Sequence, residues 1–401
     1  MEKENEIKTM VPTLRFPEFR EQTGWEVEFL SNILAYERPD NFIVETETYG
    51  EEGIPVLTAN KSFILGYTRE STGIYVNLPV IIFDDFTTDK KYVDFPFKVK
   101  SSAIKILHTK HTDILRFIYE LMNQITFEAK EHKRYYISTY QRIQVPLPKE
   151  EEQQKIADCL SSLDDLIEAT AQKVKTLKEH KKGLMQRLFP AKGKNVPDLR
   201  FPEFSLDATW DIVSFSKYIK LFRGSSPRPI KEYLTDTVEG INWIKIGDTQ
   251  YAKGFVLSEV KEKITKGGAD KSRYVYKGEL ILANSMSFGK TYQLAIDGCI
   301  YDGWFVLREY DEAYYKPFLL QLLNSDYVQN QYKRLSAGGI VLNISSEIVY
   351  QTHIFYTSMK EQKKIADCLS FLDELIETTS RKIEILKEHK RGLMQQLFPK
   401  I

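Results

Sequence analysis

The hexapeptide KIADCL occurs twice, at 155–160 and again at 364–369, 209 positions apart. Each copy opens a longer segment. The first reads KIADCLSSLDDLIEATAQKVKTLKEHKKGLMQRLFP and the second KIADCLSFLDELIETTSRKIEILKEHKRGLMQQLFP, and the two align without a gap. A repeat of this length constrains a fold more than local propensity does, because one packing problem has to be solved twice. A shorter pair, VPTLRFPEF from Val11 and VPDLRFPEF from Val196, precedes each variable half. The chain therefore reads as tag, variable block and conserved helix, then the same again. This gives a first block over 11–149, a helix over 150–190, a linker and second tag over 191–204, a second block over 205–360 and a second helix over 361–399.

The long repeat has the three-and-four spacing of a heptad seam. In the first copy Leu160, Ile167, Val174, Lys181 and Leu188 hold one seam position, and Ile156, Leu163, Thr170, Leu177 and Leu184 the other. The second copy has Leu369, Ile376, Ile383, Lys390 and Leu397 with Ile365, Leu372, Thr379, Leu386 and Leu393. Even the two imperfect positions, a threonine and a lysine, recur. A rod of about 50 Å is expected from a rise of about 1.5 Å per residue. Gly183 and Gly392 weaken the last turns, and Pro190 and Pro399 stop the helices. An apolar seam of this length needs a cover. Each helix has its own copy available as partner, and two like halves in one chain favour an antiparallel pair.

At 401 residues the chain exceeds one typical core. Lys and Arg number 56 and so do Asp and Glu, so the formal net charge is zero. That argues against an overall basic coat but leaves room for local basic patches. Cys159, Cys299 and Cys368 form no CxxC pair and no zinc spacing, which fits a reducing cytoplasm. The N-terminal MEKENEIK lacks the apolar run of a signal peptide, and no stretch reaches the ~18 apolar residues of a membrane span. A cytoplasmic protein without membrane partners is expected.

The two blocks differ in sequence but share an order of elements. IPVLTANKSF answers INWIKIGDTQ, a strand running into a polar loop. PVIIFDDFTTDKKY answers GELILANSMSFGKTY, a second strand and loop, and SAIKIL answers GWFVLRE, a third strand. ILRFIYELMNQI answers PFLLQLLNSDYVQNQY, each an amphipathic helix, before a basic loop, a last strand and the long helix. Two mixed α/β domains on one plan follow.

Catalytic chemistry is not legible. There is no GxGxxG or HExxH. FGKT at 288–291 imitates the end of a phosphate loop, but Asn284 stands where its first glycine is required. Asp84 and Asp85 read as solvated loop acids, since neighbours at a strand end point to opposite sides. His108, His111 and Asp113 lie at a strand–helix junction, where Thr112 or Asp113 as a helix cap explains them better than a metal does. No catalytic residue and no metal ligand is assigned.

What remains are loops rich in groups that contact phosphates and base edges. The candidate DNA-binding residues of the first block are Thr58, Asn60 and Lys61, then Thr87, Thr88, Lys90 and Lys91, then Lys133, Arg134 and Tyr135, flanked by Lys130, His132 and Tyr136. Those of the second block are Arg223, Ser225, Ser226 and Arg228, then Lys245, Asp248 and Thr249, then Asn284, Ser285, Ser287 and Lys290, then Gly338 and Gly339 beside Lys333 and Arg334.

Tag, block, helix, tag, block and helix resembles the plan of the specificity (S) subunit of type I restriction–modification enzymes. EQQKIADCLSSLDDLIE with GLMQRLF is similar to that family's conserved regions, and RGSSPRPI, WIKIGD and ILANSMSFGK resemble features of its target recognition domains. The resemblance covers essentially the whole chain. It implies a DNA-binding subunit without catalysis of its own. Each recognition domain would read one half of a bipartite double-stranded target, with an antiparallel coiled coil setting the spacer. It also implies two modification (M) subunits carrying S-adenosylmethionine for N6-adenine methylation, and two restriction (R) subunits adding ATP- and Mg-dependent cleavage. In one respect the halves depart from each other. The first block ends in the Pro-rich VPLPKEEEQ and the second in FYTSMKEQ, which leaves the angle at which each chain meets its helix open. The competing reading is a duplicated coiled-coil adaptor that binds protein partners without reading DNA.

Overall fold

The structure is a computed structural model that describes residues 10–60, 62–129, 131, 133–285, 289–336 and 344–400. The chain divides into two compact units, one of residues 1–169 with 383–401 and one of 170–382. Each unit therefore holds one variable block, the start of one long helix and the end of the other. The two long helices, Glu150–Leu188 and Met359–Leu397, are each continuous over 39 residues and stop short of Pro190 and Pro399 as the sequence requires.

In the first unit a four-stranded antiparallel sheet runs in the order Leu34–Glu37, Ile104–Thr109, Val80–Asp84, Lys90–Val93. A smaller sheet pairs Ile54–Leu57 with Ile64–Thr68 antiparallel and with Lys98–Val99 parallel. The second unit repeats this plan. Lys220–Arg223, Trp304–Arg308, Leu280–Ala283 and Thr291–Leu294 take the same order, with Val256–Leu257 added at the edge. In its second sheet Ile241–Ile244 pairs antiparallel with Glu262–Ile264 and parallel with Gly298–Ile300, and two short strands are added outside. The shared order of elements expected from the sequence is present.

The strand sequences explain the layering. Val80, Ile81, Ile82 and Phe83 are all fully buried. Successive side chains of a strand point to opposite faces, so Ile81 and Phe83 enter the core under the helix while Val80 and Ile82 enter the core between the sheets. Leu280 and Leu282 part from Ile281 and Ala283 in the same way. A continuous apolar run is thus what a strand covered on both faces needs.

The amphipathic helix differs between the halves. It is single in the first block, Leu115–Gln124, but broken in the second into Lys316–Asn324 and Asp326–Leu335. The break falls at Ser325, whose extended backbone (φ −66°, ψ 153°) serves both ends and whose hydroxyl donates to Leu322 O. The periodicity alone read through this residue.

In each block the first strand pairs antiparallel with the last: Glu26–Phe29 with Gln144–Leu147, and Asp211–Ser214 with His353–Tyr356. The chain therefore leaves each block where it came in, directly into a long helix. The tags clamp this junction. Arg15 donates from Nε and Nη2 to the two carboxylate oxygens of Glu152 at 2.8 and 2.7 Å, and Arg200 does the same to Glu361 at 2.8 and 2.9 Å. Each guanidinium also donates from Nη1 and Nη2 to two backbone oxygens, those of Gln22 and Thr23 or of Asp207 and Ala208. The glutamates are buried, and the pairing holds both arginines above their ordinary pKa. The next residue is matched as well. The Gln153 side chain accepts from Ile114 N and donates to Pro148 O, and Gln362 accepts from Tyr315 N and donates to Thr357 O. The two helices thus start in the same way despite the different residues before them.

Gln153 also donates to Asp113, and the helix after Asp113 begins without a side-chain cap, so Asp113 ties two helices together rather than capping one.

Within each unit the two helical segments run antiparallel. In the first, Leu397 and Phe398 share a core with Ile156, Ala157 and Leu160, and Lys390 meets Asp164 at 2.7 Å. In the second, Leu188 and Phe189 pack with Ile365, Ala366 and Leu369, and Lys181 meets both oxygens of Asp373 at 2.6 Å. The recurrent lysine of the seam is therefore an ion-pair position. Along the helices Val174 and Leu372 are buried, and Leu163, Ile167, Leu177, Ile376, Ile383 and Leu386 are half-buried, whereas Phe371 and Ile385 off the seam are exposed.

Replacing Arg200 by Ala strands a buried carboxylate and is expected to cost about 3–5 kcal/mol. Arg20→Ala removes only one long bond, from an exposed side chain to Arg15 O at 3.3 Å, and is expected to cost little. Equilibrium urea unfolding of both variants checks this, and similar small losses would contradict the clamp.

Candidate nucleic-acid interface

In the first unit the polar loops are held by a buried carboxylate. Asp85 is buried, accepts from Tyr136 N at 2.8 Å, and has Lys105, also buried, at 3.3 Å. Its backbone oxygen accepts from Tyr135 N. Asp84 caps the turn that follows, accepting from Phe86 N and Thr87 N at 2.9 Å. The pair Asp84 and Asp85 is thus part of the scaffold, and the reading of both as solvated acids does not hold. Through Asp85 the turn at 84–89 lies beside the basic loop, and the Arg134 guanidinium sits over the Phe86 ring at 6.0 Å.

Several expected contact residues face inward. Thr58 is nearly buried and donates to Asn60 Oδ1, which also accepts from Ser62 N, so the two shape a turn. Thr88 is buried with φ 61°, the conformation the tight turn demands. Tyr135 is buried, its hydroxyl donating to Glu131 O and accepting from Glu131 N. Thr87, Lys133 and Arg134 are exposed, Lys133 paired with Glu131, while Lys91 is half-buried. Lys90 lies over the Tyr140 ring, and burial pulls its pKa down to about 8, so it keeps its charge at neutral pH and loses it as pH rises through that value. Lys61, Lys130 and His132 lie outside the described residues.

In the second unit the loops converge on a cleft of about 540 Å³ at the ends of the central strands, lined among others by Arg223, Asn284, Ser285, Asp302, Gly303 and Glu347. Asp302 organises it. Its backbone oxygen accepts from Asn284 Nδ2 at 2.8 Å and Arg223 Nε at 3.3 Å, and its carboxylate accepts from the Ser226 hydroxyl. Ser225 donates to Lys271 O at 3.3 Å. Arg228 is exposed. Lys290 is half-buried beside Phe255, and burial lowers its pKa.

Other expected contacts again belong to the scaffold. Asp248 is buried and accepts from Lys245 N at 2.7 Å and Lys261 N at 3.1 Å, and the Lys245 ammonium pairs with Glu262. Thr249 donates to Ile246 O. Asn284 is nearly buried. Ser287, Gly338 and Gly339 lie outside the described residues.

Asp302 and Lys105 are the site residues that the sequence motifs do not single out. Lys105 carries a signal, a charge inside the apolar strand SAIKIL. Asp302 sits in the turn YDGW just before a strand, and nothing local marks it as a hub. Among the described residues no group of three or more His, Cys, Asp or Glu is placed to hold a metal, and no helix is long and apolar enough to cross a membrane.

Comparison with known proteins bears on what these faces do. A family model described as type I restriction modification DNA specificity domain matches residues 22–179 and again 211–388, so one match ends in each long helix. The chain is 46% identical over 134 residues to the type I restriction enzyme EcoR124I/EcoR124II specificity subunit of Escherichia coli, covering 31% of this chain and 33% of that one. That match spans about a third of the Escherichia coli protein. The type I restriction enzyme MjaVIII specificity subunit of Methanocaldococcus jannaschii is 23% identical, covering 99% and 96%. In fold, the chain is similar to the crystal structure of the type I restriction–modification S subunit from M. genitalium, with a TM-score of 0.63, 16% identity and coverage of 98% and 100%. It is also similar to a chain from a structure of type I R-M complex assembly and conformational transition, with a TM-score of 0.57, 15% identity and coverage of 97% and 100%.

Asp248→Ala tests the division between scaffold and reading residues. It orphans two backbone donors and is expected to cost about 1–3 kcal/mol of stability, measured by thermal melting, while DNA sequence preference stays as in the parent. A change in preferred sequence without loss of stability would return Asp248 to the interface.

Proposed function

The chain belongs to the type I restriction modification DNA specificity family, and from that premise we propose that it is the sequence-reading subunit of a type I restriction–modification complex. Residues 11–149 and 205–360 are two recognition domains, each reading one half of a bipartite double-stranded target. The observation that carries this reading is the coincidence of the doubled family match with two units of one topology, whose exposed loops differ. A common scaffold with divergent loops is what two independent readers need.

The chemistry belongs to partners. Two M subunits would supply S-adenosylmethionine-dependent N6-adenine methylation, and two R subunits ATP- and Mg-dependent cleavage. This chain is a non-catalytic subunit, and no residue of it is assigned to those cofactors. A cytoplasmic location goes with such a complex. The paired long helices would act as a coiled-coil spacer between the readers. Zero net charge is compatible with DNA binding, because phosphate contacts need only local cations on each reader, such as Arg134 on the first and Arg228 on the second.

Selection from a random duplex pool by the chain assembled with its M partner tests the reading. Two short fixed sequences separated by a constant unspecified spacer are expected, with affinity falling steeply as salt rises. Exchanging 205–360 for the block of another S subunit should change one fixed sequence and leave the other. Salt-independent binding to protein partners, with no sequence enriched, would favour the adaptor instead.

A further inference from the structure

Several cations of the second unit are already engaged. Lys220 pairs with Glu309, Lys245 with Glu262 and Arg308 with Glu279, and the Lys271 ammonium donates to the Tyr233 hydroxyl. Arg223 is different. It is exposed at the end of the strand Lys220–Arg223 and lines the cleft. Its Nε donates to Asp302 O at 3.3 Å, while its two terminal amines have no partner among the described residues. It is anchored without being neutralised.

The backbone beneath it is pinned. Arg223 O accepts from Arg273 Nε at 3.0 Å, Gly224 N donates to Trp304 O at 2.9 Å, and Ser225 N to Ile300 O at 3.2 Å. A Cβ at Gly224 would stand 2.0 Å from Tyr301 O, so only glycine allows this approach. The guanidinium is therefore presented from a rigid base, which lowers the ordering cost of any contact it makes.

The surroundings favour a base edge over a phosphate. The same cleft holds two carboxylates, Asp302 and Glu347. Hydrogen bonding, led by that from Ser345, keeps the Glu347 carboxyl below its usual range and so ionised at neutral pH. A phosphate entering here meets two like charges, and an uncharged base edge does not. In the major groove guanine presents two adjacent acceptors, N7 and O6, whereas adenine presents an acceptor beside a donor and thymine an acceptor beside a methyl group. A fork of donors matches guanine alone.

We propose that Arg223 is a specificity-determining residue that reads one guanine of the half-site recognised by 205–360, through a two-pronged contact from its terminal amines. The inference rests on the recognition function proposed above and adds a named base to it. The test is selection from a random duplex pool by the full chain with its M partner, comparing the parent with Arg223→Ala, Arg223→Lys and Arg228→Ala. The half-site of 205–360 is the one that changes on block exchange. Arg223→Ala is expected to lose preference for one guanine by roughly 10- to 100-fold, with other positions and the other half-site retained. Arg223→Lys keeps the charge and loses the fork, and is expected to lose the same preference, which decides the matter should the alanine variant fold poorly. Arg228→Ala should leave that guanine preferred. Uniformly weaker binding with unchanged preference in the Arg223 variants, or a parent half-site with no guanine on either strand, would overturn the inference and leave the recognition function standing. A parent that enriches no sequence would overturn both.

Discussion

The buried arginine–glutamate pair at the start of each long helix is the interaction on which the rest depends. Burying a carboxylate is costly unless it is paired and fully hydrogen-bonded. Glu361 meets that condition with both Arg200 nitrogens, the Trp210 indole N–H at 3.1 Å and the Thr357 hydroxyl. The conserved tag and the conserved helix are thus two halves of one contact, far apart in sequence and adjacent in space. The bidentate geometry fixes direction as well as distance, so each block is held in a defined orientation on its helix while its loops remain free to vary.

The lysine–aspartate pairs do a related job at the other end. Lys181 with Asp373, and Lys390 with Asp164, are equivalent positions of the repeat. A charged residue inside an otherwise apolar seam costs stability but rejects registers in which it finds no partner. The surroundings of the pairs differ. Asp373 also accepts from Gln321, whereas Asp164 is shared with Arg116, which in turn meets Glu120. One helical design has been fitted to two different blocks.

The helices, their stops and their seam were legible because heptad spacing and proline act locally. So was the order of strands, since apolar runs of four or five residues announce buried strands. The break at Ser325 was not, because the apolar face continues across it. Nor were the inward turns of Thr88, Tyr135 and Asp248, or the burial of Asp85. Each depends on a partner remote in sequence or on a backbone conformation that the residue type does not announce. A polar residue in a loop has the same composition signal whether it caps a turn or faces a ligand. Arg223 and Arg134 were legible as candidates, but only the structure separates them from neighbours whose side chains are taken up by the scaffold.

The central proposal is that a matched pair of helices would hold two readers at a set separation. Each helix is continuous over 39 residues, about 58 Å. Four residues inserted after Lys173 add about one turn, close to 6 Å, and a matched insertion near Arg381 keeps the seam in step. DNA rises about 3.4 Å per base pair. Mapping of methylated adenines in cells expressing the double-insertion variant with its M partner is the direct measurement. The account predicts the same two half-sites with a spacer longer by about one to two base pairs. An unchanged spacer with full activity would contradict it.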